Sequence, residues 1–299
     1  MKLLVTGAWK CTEEQLDVLH SLGHKIIFLQ NEKDSLPCDY EEVEGVICNA
    51  LFLHHPIEKF KSLRYIQLTS AGFDRVSLDY VNACGIEIHN ARGVYSIPMA
   101  EFAICGVLQI YKKAALFCES QMKKEWKKQH EVLELHGKTV CIVGCGSVGT
   151  ECAKRFAAFG CRVIGVDIFS QKSDWYEKTY LLSELDNCLA QSDVVILTLP
   201  LTSETKHMMN EARFEAMKQN SVIVNIARGA IVKENALLDA LDRKLMGAVC
   251  DVFEDEPLAE SSALWEKENV IITPHNSFVG DGNSERLWKV IYGNLEKAL

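Results

Sequence analysis

The stretch TVCIVGCGSVGTECAKRFAAFGCRVIGVD, residues 139–167, decides the fold of this chain. An apolar run typical of a buried strand leads into a Gly-x-Gly-x-x-Gly pattern, and a helical pattern follows over 150–159. A second apolar run then ends in an acidic residue, Asp167. Strand, glycine turn, helix and a second strand with a terminal acid form the fingerprint of a dinucleotide-binding βαβ unit. The sequence therefore predicts a parallel sheet that binds a dinucleotide at one edge.

Each residue of the glycine turn has a predicted role. Gly144 allows the tight turn, and Gly146 lets the backbone approach the pyrophosphate. Gly149 lets the helix pack closely on the strand. The amide groups of Ser147 and Val148 point at the phosphates from the helix N-terminus, where the helix dipole favours an anion.

Asp167 predicts which dinucleotide binds. Its carboxylate is expected to accept hydrogen bonds from the adenosine ribose hydroxyls and to repel a 2′-phosphate. Since no arginine stands in the next few positions, the predicted cofactor is NAD rather than NADP. The alternative is a glycine-rich turn without a ligand. It is less favoured because strand, helix and distal acid occur together.

Short apolar runs alternate with amphipathic segments along the whole chain, which predicts an α/β fold with parallel sheets covered on both faces. The runs form two series, at 2–7, 24–29, 44–49, 64–70 and 86–91, and at 139–144, 161–167, 193–200, 221–226, 247–252 and 269–274. We therefore expect two Rossmann/flavodoxin-like domains with doubly wound parallel sheets and a cofactor cleft between them.

The domain boundary is predicted just before a long apolar helix. This helix should cover 99–117, and Pro98 stands where it begins. Because it is apolar over most of its surface, we expect it to be buried between domains or between subunits. Residues 1–97 with 280–299 then form one domain, and 98–279 form the second. The final segment is predicted to be a helix that returns to the first domain.

Composition excludes several classes of protein. The 299 residues are 48% hydrophobic and 24% charged, which is typical of a globular protein of two domains. A net charge of −9 disfavours binding to nucleic acid or to an anionic membrane surface. The start, MKLLVTGAWK, is predicted to be a first strand rather than a signal peptide, and no run is long enough to span a membrane. We expect a cytoplasmic protein, with a solvated Lys-rich connector at 121–131.

The cysteines are predicted to be reduced and mostly buried. There are twelve, scattered through apolar stretches without a C-x-x-C pair. Cys141 and Cys145 lie close together, but no second ligand pair accompanies them. No metal site is therefore expected.

Candidate catalytic groups follow three strands of the second series. Arg228 comes after an apolar run in VIVNIARGAIV, a carboxylate cluster follows the next strand, and His275 follows the last. Since ligands bind beyond the carboxyl ends of parallel strands, these groups should converge. Each residue type has a role if the reaction is hydride transfer to a 2-oxo acid, whose carboxylate lies beside a ketone. The planar guanidinium of an arginine binds the carboxylate and polarises the ketone, and a histidine protonates the ketone oxygen when the hydride reaches C2. Singly, a surface ion pair or a structural histidine is the commoner explanation. The residues alone leave Asp251, Glu254, Asp255 and Glu256 open as the histidine's partner.

Several longer motifs together resemble the D-isomer-specific 2-hydroxyacid dehydrogenase family. They are LHGKTVCIVGCGSVG (135–149), VVILTLPLTSETKHMMN (194–210), VIVNIARGAIVKENALLDAL (222–241), DVFEDEPL (251–258) and TPHNS (273–277). The first domain is similar to the family more loosely, through TSAGFD (69–74) and NARGVYSIPMAEF (90–102).

The resemblance implies a set of site residues. It makes Arg228, Glu256 and His275 the catalytic residues, with Glu256 as the partner of the histidine, and Asp251 the residue that binds the nicotinamide carboxamide. The implied cofactor-binding residues are Gly144, Gly146, Ser147, Val148, Gly149, Asp167, Leu199, Pro200, Ile226, Ala227, Asp251, His275 and Ser277. The implied substrate-binding residues are Ser70, Ala71, Gly72, Tyr95 and Arg228, with Ser96 at the border of the pocket. A homodimer is implied as well.

The implied activity is reduction of a small 2-oxo acid by NADH. A short 3-phosphoglycerate dehydrogenase is the first alternative, but Leu68 and Asn49 stand where phosphate-using members can carry basic residues. The run 51–53 indicates an apolar wall for a small substrate, and Asp167 argues against the NADP-using glyoxylate reductases.

Two further alternatives remain open. One is an NAD-sensing corepressor that binds protein partners through long flanking tails, which we do not expect here. The other is a degenerate dehydrogenase that binds NAD without turnover, against which the intact catalytic residues count. Three other histidines are given no catalytic role: His54 and His55 are expected on a loop surface, and His207 is expected to be structural.

Overall fold

The chain divides into two compact units. The computed structural model describes residues 1–169 and 173–298, so the predicted last residue of the first domain, Leu299, lies outside the described residues. One unit comprises Met1–Tyr95 with Gly280–Leu299, and the other comprises Ser96–Val279. The division falls two residues before the predicted boundary.

The strands and helices alternate in both units. The strands are β1 (Lys2–Thr6), β2 (Lys25–Leu29), β3 (Gly45–Cys48), β4 (Tyr65–Leu68), β5 (Glu87–His89), β6 (Thr139–Val143), β7 (Arg162–Asp167), β8 (Lys178–Leu181), β9 (Val194–Leu197), β10 (Val222–Asn225), β11 (Gly247–Cys250) and β12 (Val270–Ile272). The helices are α1 (Glu13–Ser21), α2 (Leu78–Ala83), α3 (Ser96–Tyr111), α4 (Ala114–Met122), α5 (Ser147–Ala158), α6 (Leu185–Gln191), α7 (Glu211–Ala216), α8 (Glu234–Arg243) and α9 (Asn283–Leu295).

The first unit contains a parallel sheet in the order β2-β1-β3-β4-β5, the flavodoxin-like order. Leu4 of β1 lies between Ile27 of β2 and Val46 of β3, so apolar residues are in register at the centre. One face packs on the cluster that includes Val46 and Ile66. The other face packs on a cluster that includes Ile291 of α9, which places the last helix with this unit.

The second unit contains a parallel sheet in the order β12-β11-β10-β9-β6-β7-β8. Two apolar clusters cover its two faces, so the predicted α/β fold with parallel sheets is confirmed. The sequence missed one strand, β8, whose sequence KTYL is short and partly polar. Within the described residues β8 lies at the edge of the sheet and pairs with β7 alone, so it needs no continuous apolar run.

The prediction of one apolar helix over 99–117 is wrong. The segment forms α3 and α4, separated at Lys113, whose φ of 52° lies in the left-handed region. Helix α3 packs on the sheet of the second unit with half of its residues buried, and a Cβ at Gly106 would lie 2.7 Å from Cγ1 of Val249 in β11. Burial of this helix between domains or between subunits stays a prediction. Every residue of α4 is at least partly exposed. The Lys-rich connector is also exposed, including Trp126 at 99%.

The cysteines only partly follow the prediction. All twelve are free, and half of them are buried: Cys48, Cys141, Cys145, Cys152, Cys188 and Cys250. Cys84, Cys105 and Cys118 are exposed. Among the residues that the structure describes, no helix combines the length and the apolar character needed to span a membrane.

Candidate active site

The glycine turn joins β6 to α5 with the geometry that a phosphate site requires. Gly144 has a φ of 102°, and a Cβ there would lie 2.7 Å from the amide nitrogen of Leu199. A Cβ at Gly149 would overlap the carbonyl of Gly144, so glycine is needed at both positions. At Gly146 the Cβ position is open space, which leaves the backbone accessible. Gly146 is also the N-cap of α5 and has no side chain to cap the first-turn amides. The residues present therefore fit a bound pyrophosphate.

Asp167 ends β7 beside this turn. Its Oδ2 accepts a hydrogen bond from the amide of Cys145 at 2.7 Å, and its Oδ1 accepts one from the amide of Ile168 at 2.7 Å. These two bonds fix the carboxylate, and each oxygen keeps a further acceptor position. The contact with the ribose and the preference for NAD over NADP stay predictions.

The end of β9 is tied to the glycine turn. Thr198 donates from Oγ1 to the carbonyl of Gly144 at 2.6 Å, and Leu199 is 8% exposed. The carbonyl of Pro200 accepts from Thr205 Oγ1 at 2.7 Å, which closes the following loop. Sequence reasoning missed Thr198 because a single threonine after an apolar strand carries no distinctive signal.

Arg228 is placed by a tight turn after β10. Asn225 bridges the turn: its Oδ1 accepts from the Ala227 amide at 3.1 Å, and its Nδ2 donates to the carbonyl of Arg228 at 3.1 Å. A Cβ at Gly229 would overlap the backbone of Phe253, so the turn packs directly on the loop after β11. The flanking Ile226 is buried at 1% exposure, whereas Arg228 is half-buried. Core packing and Asn225 together hold the arginine at the strand end.

His275 lies within hydrogen-bond distance of Glu256. The distance from His275 Nδ1 to Glu256 Oε2 is 2.8 Å, and Glu256 Oε1 accepts from the Phe253 amide at 3.0 Å. A carboxylate accepts the Nδ1 proton, so this bond assigns the tautomer and leaves Nε2 as the nitrogen that exchanges a proton. Nε2 has no partner in the ranges 1–169 and 173–298, and the side chain is 43% exposed.

Glu254 and Asp255, which the sequence left open as partners of the histidine, make no hydrogen bond to the His275 ring within the described residues. Glu254 Oε2 lies 2.8 Å from Nε2 of His207, and this pair links the loop after β9 to the loop after β11. The contact lowers the pKa of Glu254 below its usual value. His207 thus has the structural contact expected of it. Among these acids, Glu256 is the one whose carboxylate lies within hydrogen-bond distance of the His275 ring in the described part of the chain.

Asp251 anchors the loop that carries His275. Its side chain is fully buried, and Oδ1 accepts from Thr273 Oγ1 at 2.6 Å and from the Asn276 amide at 2.7 Å. Oδ2 accepts from the amide of Ser277 at 3.0 Å, and the Asp251 carbonyl accepts from the His275 amide at 2.8 Å. His275 itself has a φ of 50°, a strained conformation that surrounding contacts must hold. This anchoring role was not expected, since the family resemblance implied that Asp251 binds the nicotinamide carboxamide.

The loop of residues 70–72 follows β4 and presents main-chain donors. Each carbonyl from 69 to 72 accepts a hydrogen bond. The donors are the Tyr95 hydroxyl to Thr69, the Ala91 amide to Ser70, Asn90 Nδ2 to Ala71 and Ser70 Oγ to Gly72. In contrast, the N–H groups of Ser70, Ala71 and Gly72 have no acceptor within the described part of the chain. Three consecutive N–H groups without acceptors are suited to an anion.

Some substrate-side expectations fail. Leu51 is 0% exposed and lies in the core, so it lines no pocket, whereas Leu53 is 60% exposed. An apolar wall formed by the rest of the run 51–53 stays a prediction. Phe52 packs edge-on against Phe60 at 5.7 Å. His55 is also buried, at 4%, and bonds to the Tyr40 hydroxyl, contrary to the expected surface role. Burial of this segment was not visible because its apolar run is too short to define a period.

Comparisons with known proteins identify the family. The model described as "D-isomer specific 2-hydroxyacid dehydrogenase, NAD binding domain" matches residues 104–277. This chain therefore belongs to the D-isomer specific 2-hydroxyacid dehydrogenase family and has its NAD-binding domain.

Relatives and solved structures agree with this assignment. D-3-phosphoglycerate dehydrogenase of Methanocaldococcus jannaschii is 28% identical over 100% of this chain, which spans only 57% of that relative's length. (S)-sulfolactate dehydrogenase of Chromohalobacter salexigens is 32% identical over 81% of this chain and 80% of the relative. The structure of D-lactate dehydrogenase from Aquifex aeolicus, with NAD and lactic acid, is 29% identical with a TM-score of 0.78, covering 99% of this chain and 96% of that one.

Proposed function

We propose that this family member is an NAD-dependent oxidoreductase that interconverts a 2-oxo acid and its D-2-hydroxy acid. The observation that carries the proposal is the hydrogen bond between His275 Nδ1 and Glu256 Oε2 at 2.8 Å, which leaves Nε2 available for proton exchange. The second unit is then the NAD-binding domain and the first unit the substrate domain.

The proposed chemistry divides between hydride and proton. Bound NADH supplies the hydride to C2 of the substrate. His275 Nε2 donates a proton to the ketone oxygen as charge develops there, and it accepts that proton in the oxidation. Glu256 stabilises the imidazolium ion and holds the ring in one tautomer, because its carboxylate accepts from Nδ1. Asp251 positions His275 by holding residues 273–277.

Arg228 and the loop of residues 70–72 are the proposed substrate-binding groups. The guanidinium fork of Arg228 orients the carboxylate and polarises the ketone. The three N–H groups of Ser70, Ala71 and Gly72 are the second proposed donor set for a carboxylate. Tyr95 acts on this loop through its hydroxyl, which donates to the carbonyl of Thr69.

A second candidate is a dehydrogenase for a phosphorylated substrate. The name of the Methanocaldococcus relative, D-3-phosphoglycerate dehydrogenase, supports it. The observations that spoke against it were the residues Leu68 and Asn49, and Leu68 lies in the core, where its side chain does not line a substrate site. A corepressor-like binding protein and an inactive NAD-binding protein stay as outcomes of the test below.

We also propose that the chain forms a homodimer in the cytoplasm. Support comes from the exposed apolar residues of α4 and the connector: Leu116, Phe117, Met122 and Trp126. Large apolar side chains grouped on one exposed segment are typical of an interface. Phe117→Lys should shift the mass in light scattering from two copies to one. An unchanged mass would contradict this assignment of the interface.

The test of the proposed function is NADH consumption by the purified protein across a panel of 2-oxo acids. The panel contains pyruvate, hydroxypyruvate, glyoxylate, branched-chain 2-oxo acids and phosphohydroxypyruvate, with NADPH as the parallel cofactor. We expect turnover with NADH and at least a tenfold lower kcat/KM with NADPH, since Asp167 repels a 2′-phosphate. Binding of NADH without turnover of any 2-oxo acid would contradict the proposed activity.

A further inference from the structure

An exposed arginine, Arg75, follows the loop at the carboxyl end of β4 in the first unit. Its Nη1 donates to Oδ1 of Asn49 at 2.6 Å. This bond to a neutral amide leaves the full positive charge on the guanidinium. Within residues 1–169 and 173–298, Arg75 makes no ion pair and no other hydrogen bond.

The sheet register places this arginine beside the loop of residues 70–72. Cys48 and Leu68 are paired at the ends of β3 and β4, and the Thr69 amide donates to the carbonyl of Cys48 at 2.8 Å. Asn49 therefore follows one strand end and the loop follows its neighbour, with strands about 5 Å apart. The guanidinium that contacts Asn49 thus lies at the same carboxyl edge as the three N–H groups without acceptors, where ligands bind in such sheets.

Asn49 is itself held in place. Glu32 Oε1 accepts from the Asn49 amide at 2.6 Å and from Thr6 Oγ1 at 2.8 Å, while Oε2 accepts from the Ala50 amide at 2.6 Å. The carboxylate of Glu32 thus accepts three hydrogen bonds, and one of them fixes the backbone of Asn49. A guanidinium fixed at one nitrogen loses less freedom when its remaining donors bind an anion.

We propose that Arg75 is a specificity-determining residue that binds a second anionic group of the substrate. The inference rests on the proposed function and names its substrate class: 2-oxo acids whose carbon chain ends in a carboxylate, sulfonate or phosphate. The 2-oxo acid carboxylate binds the N–H groups of residues 70–72, and the distal anion binds the free Nε and Nη2 donors of Arg75. The recognition chemistry is a bidentate, charge-assisted pair of hydrogen bonds from Nε and Nη2.

The test compares substrates that differ only in the distal group. One pair is oxaloacetate and 2-oxobutyrate, and the other is phosphohydroxypyruvate and hydroxypyruvate. Wild type should prefer the anionic member of at least one pair, and the two pairs distinguish a carboxylate from a phosphate. Arg75→Gln should lower kcat/KM for that anionic member by about 10- to 100-fold, as expected for a lost charge-assisted bond. It should change the uncharged member by less than about twofold, and Arg75→Lys should recover part of the loss.

Arg64→Gln is the matched control. Arg64 is an exposed arginine that precedes β4, at the opposite end of the strand, and pairs with Glu44 at 3.2 Å. This variant should leave both substrate pairs unchanged. Turnover of 2-oxo acids without any effect of Arg75 on the anionic member would overturn the inference and leave the proposed function intact.

A binding measurement distinguishes failure of the proposed function from failure of the proposed anion site at Arg75. Calorimetry with NAD⁺ present compares D-malate with D-2-hydroxybutyrate, and binding needs no turnover. If no 2-oxo acid is reduced but D-malate binds and Arg75→Gln abolishes its binding, the proposed function fails and the anion site stands. If D-malate binding is also independent of Arg75, both are overturned.

Discussion

The two units present their proposed substrate-binding groups in different ways. The second unit uses side chains, with Arg228 after β10 and the His275–Glu256 pair after β12 and β11. The first unit uses the main chain, since residues 70–72 present N–H groups while their carbonyls are occupied. Side-chain chemistry depends on residue type, whereas main-chain chemistry depends on conformation. The first kind of site is therefore sensitive to substitution at the site, and the second to substitution of the residues that hold the loop.

The largest effect is expected for the proton-transfer residue. His275→Asn should lower kcat by about 10³-fold, because loss of a positioned acid–base group costs this order of rate. NADH affinity, measured by fluorescence titration, should stay unchanged, which separates chemistry from folding. His136→Asn, at an exposed histidine of the same unit, serves as control. Retention of near-wild-type turnover in His275→Asn would remove the histidine from the mechanism.

Substitution of Arg228 tests the geometry of its side chain. Arg228→Lys keeps the positive charge and loses the planar fork, so kcat/KM should fall by about 10- to 100-fold. The exposed Arg243 provides the matched control, Arg243→Lys, which should have wild-type kinetics. If Arg228→Lys turns over substrate at the wild-type rate, the assignment of Arg228 to substrate binding is wrong.

Substitution of Asp251 tests whether this residue holds His275 in position. Asp251→Asn places an amide group where three donors converge, so one oxygen acceptor is lost in a fully buried site. The free energy of unfolding should fall by about 2 kcal/mol, and kcat by about tenfold as His275 loses its position. Denaturant titration and steady-state kinetics measure the two effects. Asp255→Asn, at an exposed position, should change neither, and equal behaviour of the two variants would contradict the anchoring role.

A smaller effect is expected for the loop of residues 70–72, which presents main-chain N–H groups. Asn90→Ala frees the carbonyl of Ala71, which Asn90 Nδ2 contacts at 2.6 Å, and loosens the loop without removing any N–H group. KM for the 2-oxo acid should rise by about fivefold, as for one lost hydrogen bond, with little change in kcat. Asn82→Ala, at an exposed asparagine of α2, is the control. An effect on kcat alone would mean that the loop contributes to chemistry rather than to binding.

The smallest expected effect is on the pH dependence of stability, and it involves a residue to which no binding or catalytic role is assigned. His24 is 3% exposed, neither of its ring nitrogens has a partner in the described ranges, and burial lowers its pKa. In the unfolded chain its pKa is about 6.5, so below that pH the unfolded state binds a proton that the folded state does not. Stability should therefore fall as the pH drops below about 6.5. His24→Leu should reduce this slope in thermal unfolding from pH 7 to 5, and the exposed His54→Leu should not.

Much of the fold could be predicted because buried parallel strands have continuous apolar runs. All five strands of the first unit and six of those in the second unit lie within predicted runs. Strand β8 was missed because an edge strand needs no such run, and the split of α3 from α4 was missed because hydrophobicity continues across Lys113. Local backbone conformation, not hydrophobicity, ends α3.

The site was predictable to the extent that its chemistry depends on side-chain type. The sequence by itself determined the glycine turn, the acid at 167, and the presence of Arg228 and His275 after strand ends, because these roles depend on the type of residue. The residues alone left the carboxylate partner of His275 open, the family resemblance implied Glu256, and the tertiary structure shows the contact. Only the tertiary structure decided that Asp251 holds the loop of residues 273–277 and that Arg75 contacts Asn49. These pairings join residues from different strand ends. The physical reason is that hydrogen bonding depends on distance and direction, which sequence spacing does not specify.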